Sequence, residues 1–419
     1  MRERLKNVIL VVLAVGMAFL IWRTWAYEPA VLESLPGRTG VPTGPSAPEE
    51  KAELTSAALP VQVAARSRGT ERMGALWDGA AVSRVMPLLR RMLGEALGSA
   101  ANPQMANLQA VKTSLSRNDV SLYLCYSETV PLQALGAWNS AGFPADAQAR
   151  WLAFCAEGDV LRLYYEDEKG MLYTCVTAAR AELPELGLES PCFFAFERGG
   201  VFEEKTVPLT LLPETPPKLP KLSAQRPDMD TVVSLLLPEM GMDPGTPYVS
   251  TETDGTRTFV DYLRQCRVSP DGYIDYYDPS LDGPALSPRV NPPVSGYIEA
   301  ARRLCDSVSD TLGDAVWELR DVTKDGNAVQ IRFGARVGGC PILGDDGAYA
   351  LFTVEDNRLE KAQFYFRSYW KQDAQGLLLP LEQGLASVLR GPKDKRFSLG
   401  VGYLDGGLDT LTAEWMMGG

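Results

Sequence analysis

The sequence predicts an α+β protein, with an N-terminal transmembrane helix followed by two to three extracytoplasmic modules of antiparallel sheet with packed helices. An uncharged apolar run of fifteen residues, Val8–Trp22, lies close to the start of the chain. Beyond it, amphipathic helical patterns alternate with short β-rich runs. Asp-Gly pairs join several of these runs, and such pairs are the strongest short signal for a β-hairpin. The pattern therefore favours antiparallel sheets.

Residues 1–27 are predicted to form a short cytoplasmic tail and a membrane anchor. Fifteen apolar residues suit the core of a cleaved signal peptide and are short for a span, which needs about 20. However, no small-x-small cleavage site follows the run. Trp22, Trp25 and Tyr27 stand where an interfacial aromatic belt is expected, and Arg23 can extend its charge to the headgroups. These four residues favour a retained anchor over a cleaved signal peptide.

Charges before the apolar run predict the orientation of the anchor. Arg2, Arg4 and Lys6 precede it, against the single acid Glu3. Because positive flanks stay on the cytoplasmic side, we expect a single-pass protein of the cell membrane. Its N-terminus would be cytoplasmic and the bulk of the chain extracytoplasmic.

Small residues within the predicted span define a candidate interaction surface. Ala14 and Ala18 form a small-x-x-x-small pair, with Gly16 between them. Such a pair allows another transmembrane helix to approach closely. Small residues also occur at this spacing by chance and then simply face lipid, so both interpretations stay open.

Proline-rich segments predict the division of the remaining chain. Residues 28–59 form a Pro/Gly-rich tether without apolar periodicity. Breaks at residues 213–222 and 283–293 then separate three regions. The predicted division is an N-terminal α+β domain at 60–222, a middle domain of a helix plus β-hairpins at 223–286, and a C-terminal α+β domain at 287–419.

Within the N-terminal domain, residues 59–66 read as a strand and residues 80–98 as an amphipathic helix. The helix is interrupted by Pro87, which predicts a kink or a late start. Four strand candidates follow at residues 119–127, 149–157, 159–167 and 170–178, and the last two flank a probable turn. Residues 191–197 and 205–213 add two shorter candidates.

In the other two domains, helices precede strands joined by Asp-Gly turns. Residues 229–242 and 294–310 have helical periodicity, and residues 379–391 predict a further helix. The turn pairs are Asp254-Gly255, Asp271-Gly272, Asp325-Gly326 and Asp346-Gly347. The last residues, 396–417, predict a closing hairpin.

Charge and composition exclude several classes of function. The chain has 419 residues and a net charge of −12, and beyond Tyr27 it carries 37 basic against 52 acidic residues, a net of −15. This balance argues against nucleic acid and anionic polymers as partners. There is no histidine, which removes Ser-His-Asp and Cys-His catalysis and histidine metal ligation.

The remaining reactive residues are explained more simply by structure. None of the seven cysteines forms a C-x-x-C pair, so no zinc site is predicted, although up to three disulfides stay open. Asp275, Asp278 and Asp282 do not match a calcium loop and read as a strand face and a turn. Gly338-Gly339 before Cys340 predicts a turn or bulge rather than a reactive thiol. We therefore predict no catalytic residue, no metal and no cofactor.

One further segment, "FYFRSYW" around Arg367, has two interpretations. Its aromatic residues and arginine are compatible with a platform for carbohydrate or peptide. Its alternation favours a strand with one buried face, formed by Phe364 and Phe366.

The combination of these features resembles the YycH and YycI families, membrane-anchored accessory regulators of the YycFG (WalRK) two-component system of low-GC Gram-positive bacteria. Trp25, Tyr27 and Pro29 match the family's Trp-x-Tyr-x-Pro exit from the membrane. The segment "RVSPDGYIDYYD" resembles the hairpin of the YycH middle domain. The segments "VQIRFGARVGGCPI" and "AYALFTVEDNRLEKAQFYF" resemble a strand pattern that YycI shares with the C-terminal part of YycH.

The resemblance implies regulation and not catalysis. It implies a sensor histidine kinase in cell-wall control as the partner, contacted through span and ectodomain, with a paralogous accessory protein as a second candidate partner. Two alternatives stay open. One is a membrane-tethered wall- or solute-binding module, which a deep aromatic pocket would favour. The other is an Asp/Glu-dependent hydrolase, which requires two carboxylates about 5–10 Å apart in a cleft.

Overall fold

The computed structural model describes residues 58–67, 69–144, 146–243, 248–281, 286, 292–389 and 396–418. Residues 1–57 lie outside this part, and so do the predicted tail, span and most of the tether. Among the described residues, no helix is long and apolar enough to cross a membrane. The site residues predicted in the span and at its exit also lie outside the described part: Ala14, Gly16, Ala18, Trp22, Arg23, Trp25 and Tyr27.

A nine-stranded antiparallel sheet forms the first half of the described chain. Its spatial order is β3-β7-β6-β5-β4-β1-β2-β8-β9. Alternating apolar residues bury one or both faces of its central strands, as in "SLYLC" and "WLAFC". The strands are β1 (Gln62–Arg66), β2 (Met73–Leu76), β3 (Ala101–Met105), β4 (Ser121–Pro131), β5 (Gln148–Glu157), β6 (Val160–Glu166), β7 (Leu172–Arg180), β8 (Ser190–Phe194) and β9 (Leu211–Pro213).

Eight α-helices lie within the described residues, and the first is the longest. They are α1 (Gly79–Ser99), α2 (Leu108–Arg117), α3 (Leu132–Trp138), α4 (Ala195–Arg198), α5 (Gly200–Lys205), α6 (Met229–Glu239), α7 (Val294–Asp306) and α8 (Leu381–Val388). Asp78 caps α1 by accepting a hydrogen bond from the Ala81 backbone N–H. Pro87 lies inside α1 on its exposed side, so the predicted late start is wrong.

A second large sheet has eleven strands and contains most of the second half of the chain. Its order is β11-β12-β13-β14-β19-β18-β16-β17-β21-β23, with β15 also paired to β16. The β17–β21 pair is parallel and the other pairs are antiparallel. The strands are β11 (Tyr248–Thr251), β12 (Arg257–Asp261), β13 (Arg264–Val268), β14 (Tyr273–Tyr277), β15 (Val316–Asp325), β16 (Ala328–Val337), β17 (Cys340–Leu343), β18 (Tyr349–Glu355), β19 (Arg358–Tyr365), β21 (Ser398–Leu404) and β23 (Ala413–Gly418).

The described chain is α+β with antiparallel sheets and packed helices, which confirms that part of the predicted fold class. The turns at Asp254-Gly255, Asp271-Gly272 and Asp325-Gly326 join paired strands, as predicted. Asp346-Gly347 also marks a turn, but the strands on its two sides, β17 and β18, both pair with β16 and not with each other.

Long-range pairings run across the predicted domain boundaries. Strand β14, from the predicted middle domain, pairs with β19 from the C-terminal domain. A small third sheet has the order β20-β10-β22 and is formed by β10 (Leu219–Gln225), β20 (Ser368–Gly376) and β22 (Thr410–Leu411). Residues 51–419 form one compact unit, and the division into three domains stays a prediction.

Direct contacts join the two large sheets. Arg336 Nη1 donates to the Leu59 carbonyl over 2.9 Å, and Gln148 Nε2 donates to the Val322 carbonyl over 2.8 Å. Ala58 and Leu59, which the sequence assigned to the tether, are buried in this contact region. The junction places strands of both sheets around one shared cleft.

A glycine turn of the eleven-stranded sheet contacts the start of α1. Gly338 and Gly339 form the predicted turn between β16 and β17, and the Gly79 N–H donates to the Gly338 carbonyl over 2.7 Å. A Cβ on Gly339, whose φ is +95°, would lie 2.9 Å from the Gly79 nitrogen. Cys340 is fully buried beside this turn, and burial raises the pKa of its thiol. It is therefore a packing residue and not a reactive thiol.

Candidate functional site

A cleft of about 350 Å³ opens between the two large sheets, and we call it the inter-sheet cleft. One wall comes from β1, β4, β5 and the β6–β7 turn of the nine-stranded sheet. The other wall comes from β17, β21 and β23 of the eleven-stranded sheet, and the loop at residues 207–211 closes one side. Its volume is at the lower end of the range for small-molecule sites.

A wide bulge in β4 shapes the cleft. Cys125 pairs with Trp151 and Val130 pairs with Ala149, so residues 126–129 of β4 oppose Arg150 alone on β5. All five of these residues line the cleft. Bulges of this kind bend a strand and redirect its side chains, and they are common beside binding sites. The bulge thus bends the centre of the sheet into one wall of a concave site.

Aromatic side chains form the inner surface of the cleft. The rings of Tyr123 and Trp151 stack with centroids 5.8 Å apart and an interplanar angle of 26°. The Tyr123 hydroxyl donates to the Leu209 carbonyl over 3.0 Å, and the Trp151 indole N–H donates to Glu166 over 2.8 Å. Both rings are almost fully buried. Their hydrogen bonds fix them in place and leave a rigid apolar surface.

Two charged side chains converge on the bulge without meeting. Among the described residues, no hydrogen bond or ion pair holds the Arg150 guanidinium, and its Nε atom is buried without a partner. Burial raises the pKa of the nearby Glu128, while the charges of Arg150 and Arg320 oppose that rise. Because the guanidinium is half-buried and has no ion-pair partner among the described residues, an anion in the cleft can pair with it without displacing a protein carboxylate.

A buried ionic cluster of Glu318, Arg320 and Arg336 adjoins the cleft. Glu318 Oε1 lies 3.4 Å from Arg336 Nη1, and Glu318 Oε2 lies 3.1 Å from Arg320 Nη2, although the second contact is not aligned for a hydrogen bond. The three side chains are at most 7% exposed. Arg320 also lines the cleft. Burial lowers the pKa of Arg336, opposed by the charge of Glu318.

The cleft contains one thiol and several carboxylates that bear on catalysis. Burial raises the pKa of Cys125, with an opposing effect of Arg150, so the nucleophilic thiolate is scarce at neutral pH. Glu128 and Glu166 both line the cleft, which is the kind of convergence that an Asp/Glu-dependent hydrolase requires. The prediction that the chain has no catalytic residue therefore stays a prediction.

A second cavity, of about 640 Å³, lies at the N-terminal end of α1 beside the Gly338-Gly339 turn. Arg84, Lys218 and Lys371 are among its lining residues. None of the unpartnered buried polar atoms of the described residues belongs to this lining. The inter-sheet cleft, with its free Arg150, is therefore the better candidate.

The residues singled out from sequence are placed elsewhere. Asp275 lies on a strand face and accepts from Gln363, and Asp278 is buried and accepts from Ser280 in a turn, as predicted. Asp282 lies outside the described residues. Within the described part, no group of three or more Cys, Asp or Glu side chains is arranged to hold a metal ion. All seven cysteines are free thiols.

The segment around Arg367 is a buried junction and not a platform. Phe364 and Phe366 are fully buried, but the predicted strand is only partly confirmed, because β19 ends at Tyr365 and β20 begins at Ser368. Arg367 is only 7% exposed and pairs with Asp405 over 3.2 Å. The platform interpretation of this arginine is therefore wrong, because an acidic partner from β21's following turn covers it.

Sequence reasoning missed the residues that build the cleft. "ARWLAFCAE" predicted β5 but gave Arg150 no role, and "SLYLCYS" stopped before Glu128. The one available signal was a cation inside an otherwise apolar strand. Comparisons with protein-family models, with curated proteins and with solved structures find no match.

Proposed function

We propose that the chain is a single-pass, membrane-anchored extracytoplasmic accessory protein that regulates a sensor histidine kinase of a two-component system in cell-wall homeostasis. It acts by binding, through its span and its ectodomain, and not by catalysis. The observation that carries the proposal is the N-terminal sequence, where a basic tail, an apolar run and an aromatic exit follow one another.

Two further observations support this proposal. The segments that resemble YycH and YycI fold as strand–turn–strand units: residues 267–278 span β13 and β14, and residues 329–342 span β16 and β17. The described chain is also an α+β scaffold within one compact unit. Such a protein needs only to bind one state of a two-state kinase better than the other in order to shift its activity.

A second candidate function is a membrane-tethered wall- or solute-binding module. The inter-sheet cleft favours it, because the cleft combines stacked aromatic rings with an unpaired guanidinium. The two functions are compatible, since a ligand that binds the ectodomain can change how it contacts a partner. The hydrolase alternative shares the same cleft and differs only in whether bound ligand is cleaved.

Exchange of the predicted span tests the regulatory proposal. Val8–Ile21 is replaced by an unrelated apolar helix, with the tether and ectodomain unchanged. We expect a partial loss of regulation, because helix contacts in membranes contribute roughly 0.6–2 kcal/mol and 1.4 kcal/mol is about tenfold in occupancy. The measurement is expression of a kinase-dependent reporter at equal protein level. If the exchanged protein regulates as well as the native protein, the span is only an anchor.

Two controls make the exchange interpretable. The double variant Ala14→Leu, Ala18→Leu keeps the native span but places bulk at the close-approach positions, and it should reproduce the partial loss. N-terminal sequencing of the membrane-bound protein should find the chain uncleaved. A mature N-terminus beyond Thr24 would instead identify a signal peptide and end the anchor interpretation.

A further inference from the structure

We propose that the inter-sheet cleft binds the C-terminal carboxylate of a short peptide, with the Arg150 guanidinium as its anion receptor. This inference deepens the second candidate function, the solute-binding module, and does not depend on the kinase. It rests on the pairing of the arginines, on the second free polar atom in the cleft and on the distribution of charge around it.

Arg150 differs from the four most buried arginines of the described residues in its pairing. Each of the four arginines that are at most 7% exposed has a carboxylate within ion-pair distance: Arg72 with Glu197, Arg320 and Arg336 with Glu318, and Arg367 with Asp405. Arg150 is half-buried and, within the described residues, has no such partner. A planar carboxylate is the group that a guanidinium pairs with best.

Glu128 lines the same cleft but does not act as the carboxylate partner of Arg150. Glu128 and Arg150 influence each other electrostatically, yet no ion pair joins them among the described contacts. Burial raises the pKa of Glu128 and the charge of Arg150 opposes that rise, so the two groups interact without a direct hydrogen bond. The guanidinium therefore stays available to a ligand.

A second polar atom in the cleft also lacks a partner. Thr210 is 6% exposed and lines the cleft, and its hydroxyl has no hydrogen-bond partner among the described residues. Its backbone is fixed, because its N–H donates to the Val207 carbonyl over 3.0 Å. A hydroxyl donates to a carboxylate or amide oxygen without carrying charge. Arg150 and Thr210 thus place one charged and one neutral unpartnered donor in the lining of the same cleft.

The rim and the inner surface select among anions. Glu166, Asp167 and Glu168 line the cleft from the β6–β7 turn, and this acidic rim disfavours phosphates and polyanions. It favours a ligand with a single carboxylate inside and a neutral or cationic group outside. The rings of Tyr123 and Trp151 provide apolar contact for the body of the ligand. A short peptide with a free C-terminus and a basic N-terminal residue meets all these conditions.

The test compares the tripeptide Lys-Ala-Leu with its C-terminal amide. Binding to the full-length protein in detergent micelles is followed by the fluorescence of the tryptophans and by calorimetry. We expect the free acid to bind about tenfold or more tightly than the amide, because a charge-assisted hydrogen bond is lost in the amide. Equal binding of the two peptides, or no binding of either at millimolar concentration, would overturn the proposal.

Variants assign the effect to the named side chains. Arg150→Gln should weaken binding of the acid by at least tenfold and abolish its advantage over the amide, whereas Arg150→Lys should keep part of that advantage. Thr210→Val gives a second test that leaves all charges unchanged, and should weaken the acid by a few fold. Arg180→Gln, at an exposed arginine of the same sheet, is the matched control and should bind as the native protein does.

The state of the peptide after incubation separates binding from hydrolysis. Mass spectrometry should recover the tripeptide intact. Cleavage that disappears in Glu128→Gln would overturn the binding role and identify a hydrolase instead. Failure of peptide binding leaves the kinase proposal untouched, because that proposal is read from reporter expression and not from the cleft.

Discussion

The E318A variant is expected to lose about 3–5 kcal/mol of its unfolding free energy, because it removes the carboxylate that pairs with the buried guanidinium of Arg320. Glu318 lies within ion-pair distance of both Arg320 and Arg336. Both arginines lie at the junction of the two large sheets. A typical domain is stable by only 5–15 kcal/mol, so a loss of this size is a large fraction of the total.

Urea unfolding of the full-length protein in micelles, followed by tryptophan fluorescence, measures this loss. Glu414→Ala is the matched control, since Glu414 is an exposed glutamate on β23. It should change the unfolding free energy by no more than about 0.5 kcal/mol. Equal midpoints for E318A and E414A would show that the ionic cluster does not hold the junction.

The D405A variant is expected to be destabilised to a similar extent, by about 3–5 kcal/mol. Asp405 is fully buried and accepts hydrogen bonds from the Tyr369 hydroxyl over 2.9 Å and from the Gly407 N–H over 3.0 Å. It also pairs with Arg367 over 3.2 Å. Loss of this one carboxylate therefore leaves a buried cation and a buried hydroxyl unsatisfied at the same time.

A graded series tests this network. Tyr369→Phe removes one hydrogen bond to Asp405 and the acceptor of the Ala348 N–H, and should cost about 1–3 kcal/mol. Asp409→Ala, at an exposed aspartate nearby, should be close to neutral. The order D405A, Y369F, D409A from least to most stable is the expected result. A D405A protein as stable as D409A would refute a structural role for the network.

Local patterns predicted the local elements well. The amphipathic periodicity of α1 places six apolar residues on one side of the helix, and all six are buried: Val82, Val85, Leu89, Met92, Leu93 and Leu97. The Asp-Gly pairs marked three hairpins, because a tight turn needs residues that tolerate positive φ, and Gly255, Gly272 and Gly326 all have it. Such features depend on residues close in sequence, and the sequence shows them directly.

These local patterns do not predict which distant strands pair with each other. Strand β10 begins in a proline-rich segment that read as a boundary, yet it pairs with β20 about 150 residues later. In β15, Trp317 and Leu319 predict one buried face, so Glu318 reads as exposed. Contacts with the nine-stranded sheet bury that second face as well. Only tertiary structure decides whether a second face is covered.

The candidate site was missed for the same reason. Arg150 stands alone opposite four residues of β4, and a bulge of this size leaves no regular signature in the hydrophobic alternation. Glu128 and Thr210 come from separate parts of the chain, and they line the same cleft as Arg150 only in the folded structure. The span residues Ala14, Gly16 and Ala18 are the opposite case, since their spacing is visible in sequence and they lie outside the described part.

Photo-crosslinking from the span in native membranes tests the central claim, contact between this chain and a sensor histidine kinase, most directly. A photoreactive amino acid replaces Ala18 in the full-length protein, and mass spectrometry identifies the adducts. Leu20 is the control position, because on a helix it lies on the side opposite to Ala18. We expect a sensor histidine kinase adduct from position 18 that is absent or much weaker from position 20. Adducts with lipid alone, or the same set of proteins from both positions without a kinase among them, would contradict the claim.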